Sequence, residues 1–351
     1  MSAGLAASPA ADPTAGATVA AGAPARAPRG RRQRRFAAVV GKRLLHLLIV
    51  LLLVTFASFA ITDLLPGDAA ATVAGENATP EQIAAVRTEL GLDRPMIVRY
   101  FDWLGGVLTG DLGNSFRTGQ PVTEALAQRI PVSFEIAVVA QILALLVAIP
   151  LAVYSAYRPG KLIDRSSMAI GFGAAAMPHF ILGMVLILLF AGGLSSILPA
   201  TGFVGFFDDP LGNLKSIILP CLTLMLGEAA VYRQLLRSDM ISTLQEDFIL
   251  MARSKGLSPR RILFRHALRP SSFSLITLAG VNMGRLLGGA IVVEVMFAIP
   301  GLGQMVAQAV YDRDYLMLQG GILVIAVSYV VINALIDLLY AALDPRVRRR
   351  G

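Results

Sequence analysis

The sequence predicts an all-α, polytopic membrane protein with six transmembrane helices, and three observations predict it. Hydrophobic residues make up 55% of the 351 and charged residues only 15%, against roughly 25% charged in soluble domains. The charges cluster, and most gaps between clusters are long enough for a helix to cross about 30 Å of hydrocarbon. Lysines and arginines then concentrate in alternate segments between the gaps, the bias that membrane insertion imposes.

Residues 1–35 are rich in Ala, Pro and Gly and end in RGRRQRR. They lack the large apolar side chains a core needs, so residues 1–40 are expected to be a disordered basic tail. An Arg-rich, acid-poor start also resembles an organellar transit peptide or a twin-arginine signal. The apolar run behind it is too long for a signal core, and many more spans follow. An uncleaved anchor is therefore expected despite Ala69-Ala70-Ala71, which imitates a cleavage site.

The first span covers 44–62. Residues 63–130 differ in kind, with nine acids against five arginines. Thr79-Pro80-Glu81 opens a helix that Gly91 stops. A second runs from Pro95 to Thr109, with Ile97, Phe101, Leu104 and Val107/Leu108 on one face and Trp103 suited to a membrane interface. Turn-rich GDLGNSF follows at 110–116. This region, 63–130, is expected to be an extracytoplasmic cap on the membrane and not an independent domain.

Five further spans follow at 131–156, 166–190, 216–232, 271–293 and 316–336. The third of these is the shortest. Backbone groups in lipid must be satisfied within the segment, so all are helices. With the N-terminus inside, inside segments exceed outside segments in Lys and Arg by roughly three to one. Both termini are then cytoplasmic, with a transmembrane domain over 41–345 and a basic tail at 346–351.

The net charge is +8, but the basic residues flank apolar spans instead of forming one soluble face, which argues against nucleic acid. A single cysteine, Cys221, allows no disulfide within the chain and no cysteine-based metal site. His46, His179 and His266 are far apart and show no metal spacing; His179, beside Pro178, reads as a packed histidine or a kink neighbour. No G-x-x-x-x-G-K-[ST] occurs, since Gly160-Lys161 is followed by Leu162. No catalytic residue, metal or cofactor is expected, and the chain is not expected to be an enzyme.

Energy for any transport then comes from another polypeptide or from an ion gradient. An ion-driven secondary transporter would place ionisable groups mid-membrane. The candidates are Glu135, Glu228 and Arg285, too few and too scattered for a convincing proton relay. Glu228, near the cytoplasmic end of its span, has Arg233 as a possible partner. Arg285, deepest in its span, either lines a pathway or pairs with Glu228 or a partner subunit. Glu294 is expected to anchor the external loop.

The longest charged interruption is the loop at 236–270, which contains EDFILMARSKGLSPRRILFRHALRP at 246–270. A helix over 242–255 is expected, with Phe248, Met251 and Ala252 near one face. Gly256 stops it. Ser258 caps the next helix and Pro259 takes its first position. Ile262, Leu263 and Leu268 make its apolar side, Arg260, Arg261 and Arg265 face elsewhere, and Pro270 ends it. On physics alone this is either a plain connector or a socket for a soluble partner.

The loop resembles the cytoplasmic coupling loop of permease subunits of binding-protein-dependent ABC importers. ARSKGLS followed by RHALRP is similar to the dipeptide/oligopeptide/nickel branch. So are LLPGDAA at 64–70, GDLGNSF at 110–116 with Pro121-Val122, LLGGAIVVEVMFAIPGLGQ at 286–304, RDY at 313–315 and DLLYAALDPRVRR at 337–349. These six stretches stand in the family's order from residue 40 onward. One departure is that Leu250, Met251 and Ala252 stand where the general permease loop has Glu-Ala-Ala, a Glu the peptide branch often lacks.

The resemblance implies an ABC importer type I permease in a bacterial cytoplasmic membrane, carrying di- or oligopeptides or a related small solute. Its implied partners are a second permease, two cytoplasmic ATPases that use ATP, and an extracytoplasmic binding protein. It assigns ATPase coupling to Asp247, Met251, Ala252, Arg253, Lys255, Gly256, Leu257 and Arg265. The translocation pathway falls to Arg285 and Asn282, and an external gate to Pro300, Gly301, Leu302 and Gly303.

Overall fold

A computed structural model describes residues 47–60, 69–75, 77–89, 91–192 and 197–343, together with the single positions 41 and 45. The expected tails at 1–40 and 346–351 and most of LLPGDAA lie outside the described residues. Among the described residues the protein is helical, with one isolated antiparallel bridge from Asn114 to Pro121 and no strand.

The frame is a long parallel pair, α5 (Val122–Tyr157) and α8 (Pro210–Leu244), with 36 and 35 residues; Ile136 lies by Cys221 and Gln141 by Tyr232, so the two numberings rise together. At 1.5 Å per residue each is about 50 Å long, well beyond the hydrocarbon thickness. Small residues let them approach. Ala137, Ala140, Ala144, Ala148 and Ala152 recur at helical spacing and are fully buried, the small-residue seam by which helices pack where lipid supplies no hydrophobic drive. Tyr232, Leu236 and Met240 of α8 fill one end of this core, with Leu275 and Ala279 of α11 (Leu268–Gly289) against them. The short expected span 216–232 is thus the middle of a much longer helix.

Span 166–190 is not one straight helix. α6 (Leu162–Ala176) and α7 (His179–Ile187, continued by a π turn to Gly192) meet at 110°. The break falls at Met177-Pro178, where proline lacks an N–H and pushes the residue before it into extended backbone. Met177 has that backbone, with ψ at 133°. His179 is exposed beside the bend; it is a kink neighbour and not a packed core histidine. Span 271–293 is divided between α11 and α12 (Ile291–Met296). Among the described residues, three helices are long and apolar enough to cross a membrane: α5, α8 and Tyr315–Ile336 of α14 (Tyr315–Leu343). The bent pair makes up to four. The apolar part of α1 described is Leu47–Ala60.

The described part of the region 63–130 packs on α1 and α14 through its longest helix. It contributes α2 (Ala69–Ala74), α3 (Pro80–Glu89) and α4 (Met96–Thr109). Thr79 and Gln82 form a reciprocal cap at the start of α3, with Thr79 N–H donating to Gln82 Oε1 at 2.8 Å. The face of α4 differs from expectation. Tyr100 and Trp103 point inward with Leu104 and Val107, onto Phe59 of α1 and Leu323 of α14. Ile97, Phe101 and Leu108 point outward and are exposed. The helix carries two apolar stripes, inner positions 100, 103, 104 and 107 and outer positions 97, 101 and 108, each at its own helical spacing. An apolar outer face on such a helix suits the boundary between water and lipid.

Candidate functional site

The loop at 236–270 builds a small core of its own. α8 ends at Leu244, two residues turn, and α9 covers Asp247–Ser254. The expected single helix over 242–255 is therefore broken at Gln245-Glu246. Gly256 follows with φ of +72°, the left-handed conformation that ends a helix cheaply only in glycine. Ile249, Ala252 and Ile262 are buried together, with Leu244 and Leu257 packed on them. Ala252 and Leu257 thus hold the loop together from within and present little surface to a partner.

The outer face of α9 is different. Phe248, Leu250 and Met251 are 45%, 53% and 58% exposed, and Asp247, Arg253, Lys255, Gly256 and Arg265 are exposed around them. The next helix starts at α10 (Pro259–Arg261), with Ser258 at the N-cap position but no side-chain cap bond. Pro270 does not end it. A π turn over Ile262–Ala267 leads directly into α11, with Leu268 N–H donating to Leu263 O, five residues back. Such a wide turn gives the proline ring the room it needs near the His266 carbonyl.

A buried ion triad ties the loop's root to the α5–α6 turn. Asp164 accepts from Arg233 Nη2 at 2.8 Å, from Arg237 Nε and Nη2 at 2.7 Å each, and from Gly160 N–H at 2.9 Å. Arg233 is therefore committed to Asp164 and not to Glu228. Glu228 instead accepts from Asn282 Nδ2 at 2.5 Å, and Arg285 Nη1 reaches Asn282 Oδ1 at 3.5 Å. Asn282 is buried and Arg285 exposed. Tyr232 and Gln141 continue the polar cluster, with Tyr232 Oη donating to Gln141 Oε1 at 3.1 Å and Gln141 Nε2 to Ala279 O at 3.3 Å. The two pathway candidates thus share one face of α11 and form a chain with Glu228.

At the other end of the bundle, Pro300-Gly301-Leu302-Gly303 is the mouth of a helix and not a simple turn. α13 (Leu302–Asp312) starts there, and Gly301, Leu302 and Gly303 are buried while Pro300 is exposed. Glu294, fully buried, accepts from Gly303 N–H at 2.7 Å, Gln304 N–H at 3.1 Å and Ser133 Oγ at 2.7 Å. Ser133 Oγ in turn accepts from Leu302 N–H at 2.7 Å. One carboxylate and one hydroxyl from two other helices satisfy the free N–H groups of α13. The glycines are needed for this approach. A Cβ on Gly301 would lie 2.3 Å from Glu294 Oε2, and one on Gly303 would lie 2.6 Å from Ile291 Cα. The anchoring role expected for Glu294 is what the geometry gives.

Two motifs 198 residues apart also meet at this end. Asp314 of RDY accepts from the Ser115 hydroxyl and from Phe116 N–H, and caps α14 through Met317 N–H at 3.3 Å. Arg117 pairs with Asp312 at 3.2 Å. Sequence reasoning recognised both motifs but not their pairing, nor the Asp164 triad. Among the described residues no cluster of His, Cys, Asp or Glu could hold a metal ion.

The family model described as "Binding-protein-dependent transport system inner membrane component" matches residues 148–349, and its N-terminal companion matches 36–137. This chain belongs to that family. The two matches together take in the bent pair, the loop, the Glu294 anchor, α14 and the two ends of α5. A Brucella abortus (strain 2308) protein named as a peptide transport system permease is 38% identical over 89% of this chain and 99% of its own length. The dipeptide transport system permease DppB of Escherichia coli K12 is 36% identical over 85% and 94%. In fold, the chain is similar to a subunit of the methionine ABC transporter MetNI in an inward-facing form, with a TM-score of 0.51, 16% identity, and coverage of 63% of this chain and 96% of that one. This is an importer permease of the ABC class, in a family of transporter membrane components.

Proposed function

We propose that this chain forms half of the translocation pore of an ATP-driven importer of di- or oligopeptides in a bacterial cytoplasmic membrane. The chain crosses the membrane six times with both termini in the cytoplasm, so the loop at 236–270 faces the cytoplasm and the 63–130 cap and the α13 end face outward. Two ATPase subunits dock on the loop of this chain and of a second permease. An extracytoplasmic binding protein delivers the substrate. The chain itself catalyses nothing; ATP is consumed by its partners.

The observation that carries this is the outer face of α9. Phe248, Leu250 and Met251 form an exposed apolar cluster with charges around it. They stand on a short helix braced by its own core and by the Asp164 triad at its root. A knob that does not flex can carry a push into α8 and α11. Asp247, Arg253, Lys255 and Arg265 are the charges available to pair with the ATPase. Arg285 and Asn282 line the path of the peptide, where the guanidinium attracts its carboxylate. Pro300 to Gly303, locked by Glu294, forms the external gate.

A cysteine at Met251 should cross-link to a cognate ATPase subunit, in inside-out vesicles carrying the assembled importer. Native Cys221 is buried and serves as the internal control. Labelling of Met251→Cys only from the external face would overturn the topology. Accessibility from the cytoplasmic face without any cross-link would overturn the docking role.

A further inference from the structure

The cavity richest in unexplained chemistry lies under the cap, away from the loop, the polar cluster and the Glu294 anchor. It holds about 330 Å³ between α4, the end of α1 and the start of α14. Trp103 forms part of its wall and is only 9% exposed. Its indole Nε1–H is buried and has no hydrogen-bond partner. Buried donors in folded proteins are almost always paired, and the side chain that carries this one lines an open space.

The same cavity is edged by charges of both signs. Arg94 pairs with Asp102 at 2.9 Å, Arg99 lies 5.8 Å over the Phe59 ring, and Asp111 accepts from Gly113 N–H at 2.9 Å. Two guanidinium groups and two carboxylates cancel in formal charge. A purely anionic ligand gains little from such a rim, whereas a ligand with an oxyanion and an ammonium matches it. The exposed apolar face of α4, Ile97, Phe101 and Leu108, sets the cavity at the boundary between water and lipid.

We propose that this cavity binds a zwitterionic ligand. Its oxyanion accepts from Trp103 Nε1–H on the arginine side, and its ammonium sits by the carboxylates of Asp102 and Asp111. Two sources carry this chemistry: the headgroup of an ethanolamine phospholipid and a free short peptide. The site is separate from the proposed pathway at Arg285 and does not depend on it.

Trp103 is the only tryptophan in the chain, so its emission reports on this cavity alone. The full-length chain in detergent micelles is titrated with dihexanoyl phosphatidylethanolamine, with dialanine, and with dihexanoyl phosphatidylglycerol as the anionic control. The expected result is a saturable change in emission with a zwitterion and no saturation with the control. Half-saturation should rise roughly tenfold in Asp111→Asn and in Arg94→Gln, the scale of one lost charged hydrogen bond. Saturation by the phospholipid alone names a headgroup site, and saturation by dialanine names a peptide site. A response linear in every probe, equal saturation by the anionic control, or a half-saturation unmoved in both variants would overturn the proposal. Probe selectivity is read on the unmodified chain, so the test survives a variant that fails to fold.

Discussion

Replacing Glu294 with alanine removes the acceptor of three hydrogen bonds at once. Ser133 Oγ–H, Gly303 N–H and Gln304 N–H, at 2.7, 2.7 and 3.1 Å, lose their partner inside a packed region. Each buried donor left unpaired costs about 1–3 kcal/mol. Relief from burying a carboxylate offsets part of that. The expected net loss is roughly 3–6 kcal/mol, or a fall in apparent Tm on the order of 5–10 °C. Glu294→Gln keeps one acceptor oxygen but turns an amide donor toward the other donors, so it should fall between wild type and alanine. Ser133 shares the network, so Ser133→Ala combined with Glu294→Ala should cost less than the sum of the two. The assay is thermal unfolding of the full chain in detergent, with transport measured in parallel. A Glu294→Ala protein that melts within about 1 °C of wild type would refute the reasoning, because donors this buried cannot be satisfied by water at no cost.

Three further outcomes are expected. Asp164→Ala leaves Arg233 buried beside Arg237 without their shared carboxylate and should cost about 3–5 kcal/mol. Arg237→Gln, at a partly exposed side chain, should cost much less by the same unfolding assay. Gly256→Ala at φ of +72° should cost about 1–2 kcal/mol locally. Gly256→Pro, whose ring cannot adopt that angle, should abolish pull-down of the ATPase while membrane insertion is unchanged. Phe248→Asp or Met251→Asp should likewise remove ATPase binding without lowering Tm, since both side chains are exposed. Equal ATPase binding by either variant in a pull-down would count against the docking face.

What the sequence made legible was chemistry confined to neighbouring residues. Gly256, the Thr79 cap and the anchoring role of Glu294 could be read because a glycine past a helix, a Thr-Pro-Glu start and a lone acid at the end of an apolar run each have a local reason. Pairings across the chain could not be read in this way. Arg233 had Glu228 five residues behind it as an obvious partner, yet the fold brings Asp164, 69 residues away, within 2.8 Å. Ser115 and Asp314 lay in motifs already singled out, but nothing in one sequence couples their positions. Local rules also failed where a rarer local form replaced the usual one. Pro270 looked like a stop because a regular α-helix could not pass it, whereas the π turn before it can. The bend at Met177-Pro178 was hidden by an apolar run without charges, although the proline carried the signal. Ala252 sat in the motif that faces the ATPase in the general permease loop. It is buried with Ile249 of its own helix and Ile262 of the π turn that follows, a contact between elements that the motif alone does not show.

The central claim is that ATP hydrolysis by docked partners drives a peptide through this chain, and uptake measures it most directly. Proteoliposomes would carry this permease, its companion permease and both ATPases, with the binding protein and a labelled dipeptide outside and ATP inside. Uptake should require internal ATP and the ATPases, and should be lost in Gly256→Pro. Uptake driven by a proton gradient alone, without the ATPases, would contradict the account.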